Sequence, residues 1–327
     1  MEDIYYPSAD GVHTVHACIW RPEGSVCGIL QIIHGMEEYG ARYSSFAEEA
    51  ARRGFLVCAE DHLGHGQTAA KEERGHFPKD GAELVLSDIY ALSLRVREYA
   101  PKVPFIIMGH SMGSFFCREY IARYGSQCAA AIIMGTGYKD GATLFFAKLL
   151  TKLVGAVKGR GYKSKLIASL AFGAYNKRFL PAETGYEWLS AEGGNVRRYV
   201  ADELCGFGFT CGGYAGLFSI MSKACSSAAF RAVPKELPLL IVSGADDPVG
   251  DYGKGVKTVC NKYKKAGVKD VSLILYSGAR HEILNDFCGA QACEDVLSFM
   301  QRHCKNAVEY GIYAALLITI QNAASAV

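Results

Sequence analysis

The hydrophobic residues of this chain fall into short unbroken runs, separated by longer stretches in which apolar positions recur every three or four residues. "CGILQIIHG" and "GFLVCAEDH" are runs of the first kind and read as strands buried on both faces. Residues 43–53 between them carry helical spacing that stops at Gly54. Ahead of both, "VHTVHACIW" alternates and predicts a half-exposed strand. The pattern continues with a helix near residues 83–99, a strand over 105–108, a helix over 114–124 and the strand "AAAIIMGT". It resumes later with "LPLLIVSGADD", a helix over 252–266, the strand "DVSLILYSG" and a helix over 283–304. Strands separated by helices predict an α/β fold whose mostly parallel sheet is covered on both faces.

The interruption, residues 138–235, has a different texture. "TLFFAKLLTKLVGAVKGRG" sets Leu144, Phe145, Leu149, Leu153 and Val157 at helical spacing, with Lys148, Lys152 and Lys158 supplying charge. No strand-like run follows until Leu237, so a helical cap is expected over the mouth of the sheet. Two fates for the apolar face stay open: ordinary core, or a surface that meets lipid. The chain then divides into a core (1–137), the cap (138–235), a second part of the core (236–304) and a C-terminal tail (305–327) of unknown role. The tail's apolar stretch, residues 311–320, is too short to span a bilayer and is expected to dock or to lie at an interface.

Within "FIIMGHSMGSFF", Ser111 sits in the hinge between a predicted strand and a predicted helix. Gly109 and Gly113 lack the Cβ atoms that would collide in so tight a turn, which lets the hydroxyl project at the top of a sheet. Glycine is common here, 36 residues, so the Gly-x-Ser-x-Gly match gains its weight from the strand before it and the helix after it. A serine hydroxyl is nearly unreactive unless a base takes its proton. In an open α/β sheet the partners belong in loops at the carboxyl ends of later strands, in the order acid, then histidine. Asp246 and Asp247 follow one such strand, and Arg280 and His281 follow the next. Either aspartate is within reach of an imidazole; Pro248 favours Asp247, because the residue before proline is held extended. Asp246 then caps the turn. His303, near the end of the last helix, reads as surface.

Charge and composition exclude other classes. With 35 basic and 33 acidic side chains the net charge of +2 provides no field for nucleic acid, and no long block of like charge occurs. "MEDIYYPSADG" begins acidic and polar where a secretory signal needs a basic start and an apolar core, so the mature chain is expected to start here. Of twelve cysteines, Cys18, Cys58 and Cys117 fall in apolar runs and the rest are scattered. Buried free thiols in a reducing cytoplasm are expected. No Cys-x-x-Cys pair occurs, and the His62 to His65 spacing lies in a glycine loop instead of on a helix, so no metal site is expected.

Five blocks in order, "HGMEEYGARY", "EDHLGHGQT", "GHSMGS", "SGADDPVG" and "GARHEIL", resemble the serine α/β-hydrolases, and within them the bacterial monoacylglycerol lipase and lysophospholipase group. The resemblance spans residues 10–304 and implies an α/β-hydrolase fold with a helical cap. It implies the triad Ser111, Asp247 and His281, with backbone N–H groups of Met36 and Met112 as the oxyanion hole. His34 and Gly35 then shape the oxyanion loop, while Asp61 and His62 brace the site. The implied activity is cofactor-free hydrolysis of carboxylic esters, such as monoacylglycerols or lysophospholipids, with transient membrane or micelle contact through the cap. In the cap, "AEGGN" replaces much of the charged run that bacterial members carry after Trp-Leu-Ser. A peptidase, an amidase or a short-chain esterase shares every motif. A non-catalytic binding protein on this fold commonly lacks a triad member; this chain lacks none. A haloalkane dehalogenase carries aspartate where Ser111 stands.

Overall fold

The computed structural model describes residues 1–309. In chain order the elements are β1 (Glu2–Pro7), β2 (Thr14–Trp20), β3 (Gly28–Ile33), α1 (Ser44–Arg52), β4 (Phe55–Glu60), α2 (Gly81–Tyr99), β5 (Phe105–His110), α3 (Met112–Tyr124) and β6 (Ala130–Met134). Five helices follow with no strand among them: α4 (Gly141–Lys158), α5 (Lys165–Phe172), α6 (Gly193–Ala201), α7 (Cys211–Ala224) and α8 (Ser227–Ala232). The alternation returns with β7 (Leu239–Gly244), α9 (Lys254–Lys265), β8 (Val271–Tyr276) and α10 (Gly289–Glu309).

The strands form one sheet in the order β1-β2-β4-β3-β5-β6-β7-β8. All neighbours from β4 to β8 pair in parallel, and β1 and β2 close one edge as antiparallel strands. This is the α/β-hydrolase architecture. Alternate residues of the central strands feed two cores: Ile107, Ile133 and Ile241 pack with α2, α3 and α9, while Ile106, Met108 and Ile132 pack with α1 and α10. Burial on both faces explains why these strands read as unbroken apolar runs.

Three local expectations are corrected and one strand is missed. β2 is buried along almost its whole length instead of half-exposed, because its polar position, His16, is held inside by Asp61, with Nδ1 2.8 Å from Oδ2. β1 escapes the sequence pattern: its polar residues reflect an edge strand, and only Tyr6 is fully buried. His303 is not surface; its ring is buried against Phe299, with centroids 4.4 Å apart. In addition, the last helix begins at Gly289, after a separate 3₁₀ turn over Ile283–Asn285. The twelve cysteines are free thiols, and Cys18, Cys58 and Cys117 are buried. Among the described residues no helix is long and apolar enough to cross a membrane. The apolar stretch at residues 311–320 lies outside the described residues.

β1 is tied down by carboxyl groups that prefer their protons. Tyr6 Oη donates to Glu60 Oε2 at 2.7 Å, and Ser8 Oγ and the Ala9 N–H donate to Asp88 at 2.7 and 2.6 Å. Burial pushes Glu60 up to about 8 and, together with the nearby Glu60 charge, Asp88 up to about 7. A carboxyl raised on folding contributes fully below its unfolded value, near 4, and its contribution is lost as pH rises through the folded value. The melting temperature is therefore expected to decline between about pH 5 and 8, and Glu60→Gln, which keeps the neutral shape, flattens that decline. An unchanged slope in the variant would mean that Glu60 is ionised in the native state.

Candidate active site

Ser111 joins β5 to α3 with φ 55° and ψ −120°, a conformation that non-glycine residues rarely adopt. The turn is locked from both sides: the Ser111 N–H donates to Met134 O at 3.0 Å, and its carbonyl accepts from the Ser114 N–H at 2.9 Å. A Cβ on Gly113 would overlap the carbonyls of Ile33 and His34, and one on Gly109 would overlap the Gly113 carbonyl. Small residues are therefore required on either side of the serine. Met112 is the first residue of α3, so its N–H carries the positive end of that helix.

Asp247 and His281 come together from the ends of β7 and β8. His281 Nδ1 lies 2.9 Å from Asp247 Oδ2, and both side chains are buried. The Asp247 carboxylate is aimed by its own loop: Oδ1 accepts from the Val249 N–H at 2.8 Å, and Oδ2 accepts from Ser243 Oγ at 3.3 Å. Asp246 is exposed, and its N–H donates to Ala279 O at 3.0 Å, which pins the turn. Ser111, His281, Met36 and Met112 all line one cavity of about 820 Å³. Its other walls are mostly apolar and come from α4, α5 and α7, including Leu144, Leu150, Ile167 and Leu217.

Beneath this cavity lies a polar network that motif reading passed over. Glu38 Oε1 accepts from the Gly35 N–H at 2.6 Å and from Tyr43 Oη at 2.8 Å, and lies 3.2 Å from His110 Nδ1. His110 Nε2 reaches the His281 carbonyl at 3.2 Å. Arg42 pairs with both oxygens of Glu282, at 2.7 and 2.9 Å, and with Glu38 at 3.1 Å. Burial works against ionising Glu38, yet the His110 ring and the Arg42 guanidinium hold it well below the usual carboxylate range. One connected cluster thus ties the loop after β3, the Ser111 turn and the His281 loop together. Its members all stand inside the quoted blocks, one or a few positions from the candidate residues, which was the available signal.

The remaining histidines of those blocks are structural in their contacts. His34 Nδ1 lies 2.7 Å from Gly35 O, and His34 Nε2 accepts from the His62 N–H at 3.1 Å. The His34 and His62 rings stack at 3.8 Å, and burial pushes His62 down to about 4 and His65 down to about 3. Asp61 accepts from the N–H groups of Gly40 and Gln67, both at 2.8 Å. Glu37, beside Met36, lines the cavity with a carboxyl that burial pushes up to about 7.

The segment between β6 and β7 meets the site directly. Trp188 packs on the His281 ring, with centroids 5.1 Å apart. Arg280 Nη1 donates to Glu187 O at 2.6 Å and to Ser190 O at 3.0 Å, and the Glu282 N–H donates to Leu189 O at 2.7 Å. On α4, Leu144 is buried while Phe145, Leu149, Leu153 and Val157 stand 59, 41, 57 and 81% exposed. The predicted apolar face is therefore two faces, and the inward one includes Ala147, Leu150 and Val154.

Residues 24–287 match the profile of a family described as "Serine aminopeptidase, S33". The chain belongs to this family. Among known relatives, the monoacylglycerol lipase of Mycolicibacterium smegmatis is 27% identical over 304 residues, covering 91% of this chain and 96% of that protein. The human monoglyceride lipase is 25% identical over 285 residues, 84% of this chain and 81% of that one. A solved thermostable carboxyl esterase from Bacillus coagulans, in complex with glycerol, superposes with a TM-score of 0.86 at 28% identity, covering 93% of this chain and 98% of that one. Family membership together with these lipase and esterase relatives bears out the resemblance to serine α/β-hydrolases of the monoacylglycerol lipase group read from the five blocks.

Proposed function

We propose that this chain is a carboxylic ester hydrolase that cleaves monoacylglycerols or lysophospholipid-type acyl esters through an acyl-enzyme on Ser111. The observation that carries the reading is convergence: a serine on a strained strand-to-helix turn and a histidine held by a buried carboxylate face one apolar cavity. With Nδ1 turned to Asp247, His281 Nε2 is left to take the Ser111 proton as Oγ attacks the ester carbonyl carbon. The carbonyl oxygen becomes an oxyanion, met by the N–H groups of Met36 and Met112. Collapse breaks the bond to the alcohol oxygen, which leaves with the proton from His281. Water, deprotonated by the same nitrogen, then releases the fatty acid and restores Ser111. No cofactor enters this scheme.

The substrate class rests on the cavity and on the relatives. A volume of about 820 Å³ is large among small-molecule sites, and its apolar lining suits an acyl chain more than a peptide. Relatives named for monoacylglycerol hydrolysis, and an esterase in complex with glycerol, support a small polyol as the leaving group. Twelve free thiols fit a reducing cytoplasm. Turnover across esters from acetyl to palmitoyl is expected to rise with chain length as each methylene adds about 0.8 kcal/mol of burial. A peak at acetyl with loss by about eight carbons would replace this reading with a short-chain esterase. Preference for amides over matched esters would replace it with the peptidase that the family's description names.

Residues 138–235 serve in this reading as a cap whose exposed α4 face touches the surface that holds the lipid. The double substitution Phe145→Ser with Leu149→Ser is expected to reduce turnover of micellar long-chain ester and to spare a soluble short ester. Only the former depends on apolar area buried in lipid, at roughly 25 cal/mol per Å². Equal losses on both substrates with a lowered melting temperature would show that this exposed face supports the fold and does not meet a lipid surface.

A further inference from the structure

We propose that β1 and β2 carry a zinc-type metal site made of Asp3, His16 and Cys18, remote from the proposed chemistry. His16 and Cys18 are two residues apart on β2 and so share one face, and the strand register sets Asp3 directly opposite Cys18. Asp3 Oδ1 lies 3.1 Å from His16 Nε2 and 3.7 Å from Cys18 Sγ, and the three ligand atoms lie within 4.8 Å of one another. Zinc bond lengths of about 2.0–2.1 Å to nitrogen and oxygen and about 2.3 Å to sulfur, at tetrahedral angles, place ligand atoms about 3.3 Å (O to N) and about 3.5 Å (O to S) apart. Asp3 is already spaced from both partners as a tetrahedral ion requires, within a few tenths of an ångström, and the third pair, His16 Nε2 and Cys18 Sγ, lies within 4.8 Å.

The surroundings add what a bare cluster lacks. His16 Nδ1 lies 2.8 Å from Asp61 Oδ2, and Asp61 is itself buried and fixed by the N–H groups of Gly40 and Gln67. A carboxylate on the far nitrogen of an imidazole orients the ring and raises its strength as a metal ligand. His16 and Cys18 are 1% exposed, whereas the Asp3 side chain is 46% exposed, so an ion can approach from the Asp3 side. The Gln67 amide nitrogen also stands 3.4 Å from His16 Nε2. An imidazole, a thiolate and a carboxylate together suit zinc better than magnesium or calcium, which prefer oxygen alone. On binding, Cys18 and His16 Nε2 give up their protons to solvent and the ion takes their place. The ion then fastens the edge strand β1 to β2. A search for Cys-x-x-Cys misses the site, because one ligand comes from across the sheet.

Metal-free full-length protein is titrated with Co²⁺, a spectroscopic stand-in for zinc. Binding of one equivalent with a sulfur-to-cobalt charge-transfer band, displaced by Zn²⁺, and a raised melting temperature with Zn²⁺ are expected. Cys18→Ser abolishes the band. Asp3→Asn, a substitution at an exposed position, weakens binding by at least about 10–100-fold, the range that loss of an outer-shell partner already causes. Cys27→Ser, at an exposed thiol elsewhere, changes neither. Failure of the wild type to bind one equivalent, or a band that persists in Cys18→Ser, overturns the site and leaves His16 as an ion-pair partner of Asp3 and Asp61.

Discussion

Ser111→Ala is expected to lower ester turnover by about 10⁴–10⁶-fold, because the covalent route disappears and only binding and the oxyanion donors remain. His281→Ala is expected to match it, and the double variant to fall no further than either single one, since the two residues act as a unit. Substrate affinity changes little, because neither side chain supplies much of the cavity's apolar wall. The Ser111→Ala backbone still needs the φ of 55° that the wild type adopts, so folding must be checked by melting temperature alongside kinetics. Steady-state rates on a soluble ester, with mass spectrometry of the trapped acyl-enzyme, make the measurement. Substantial turnover by folded Ser111→Ala, or an acyl adduct on another residue, would falsify the proposed nucleophile.

Asp247→Asn is expected to lower turnover by roughly 10³–10⁴-fold, less than loss of the base but far more than Asp246→Asn. The asparagine keeps the shape yet removes the charge that steadies the imidazolium, and its amide nitrogen can turn the imidazole to the wrong tautomer. Asp247 Oδ2 is 2.9 Å from His281 Nδ1 inside the protein, whereas the Asp246 side chain faces solvent. Asp246→Asn therefore leaves turnover within a few-fold of wild type. The reverse ranking would identify Asp246 as the orienting acid and refute the reading of "DDP".

The parts of the fold that sequence made legible are those in which one side chain's environment follows from its own element. Strands β3 to β7 are apolar because both faces are covered, and the turn after β5 shows itself through Gly109 and Gly113. The loops after β7 and β8 then bring forward Asp246, Asp247 and His281 by chain order, and Pro248 favours Asp247 of the two aspartates. What stayed hidden depends on partners distant in sequence. Glu38, Arg42 and Glu282 carry no pattern of their own in the sequence, because they become a buried cluster only when the loop after β3 meets the His281 loop. Trp188 reads as one aromatic in an irregular segment until it lands on the His281 ring. His16 reads as the polar face of a strand until Asp61 arrives from 45 residues away. On α4, periodicity groups Leu144 with Phe145, but one packs inward and the other outward.

The bonds from Arg280 and Glu282 to residues 187–190 also decide where traffic passes. A cap that lifted as one body would have to release all three and draw Trp188 off the His281 ring, disturbing the proposed base at every turnover. On the proposed function the doorway belongs instead to α4 and α5, where Phe146 and Leu170 both line the cavity and stand 65 and 68% exposed. Those side chains are threshold and wall at once. If the proposed lipid-surface contact holds, an acyl chain drawn through that doorway slides from one apolar medium into another and never crosses bulk water.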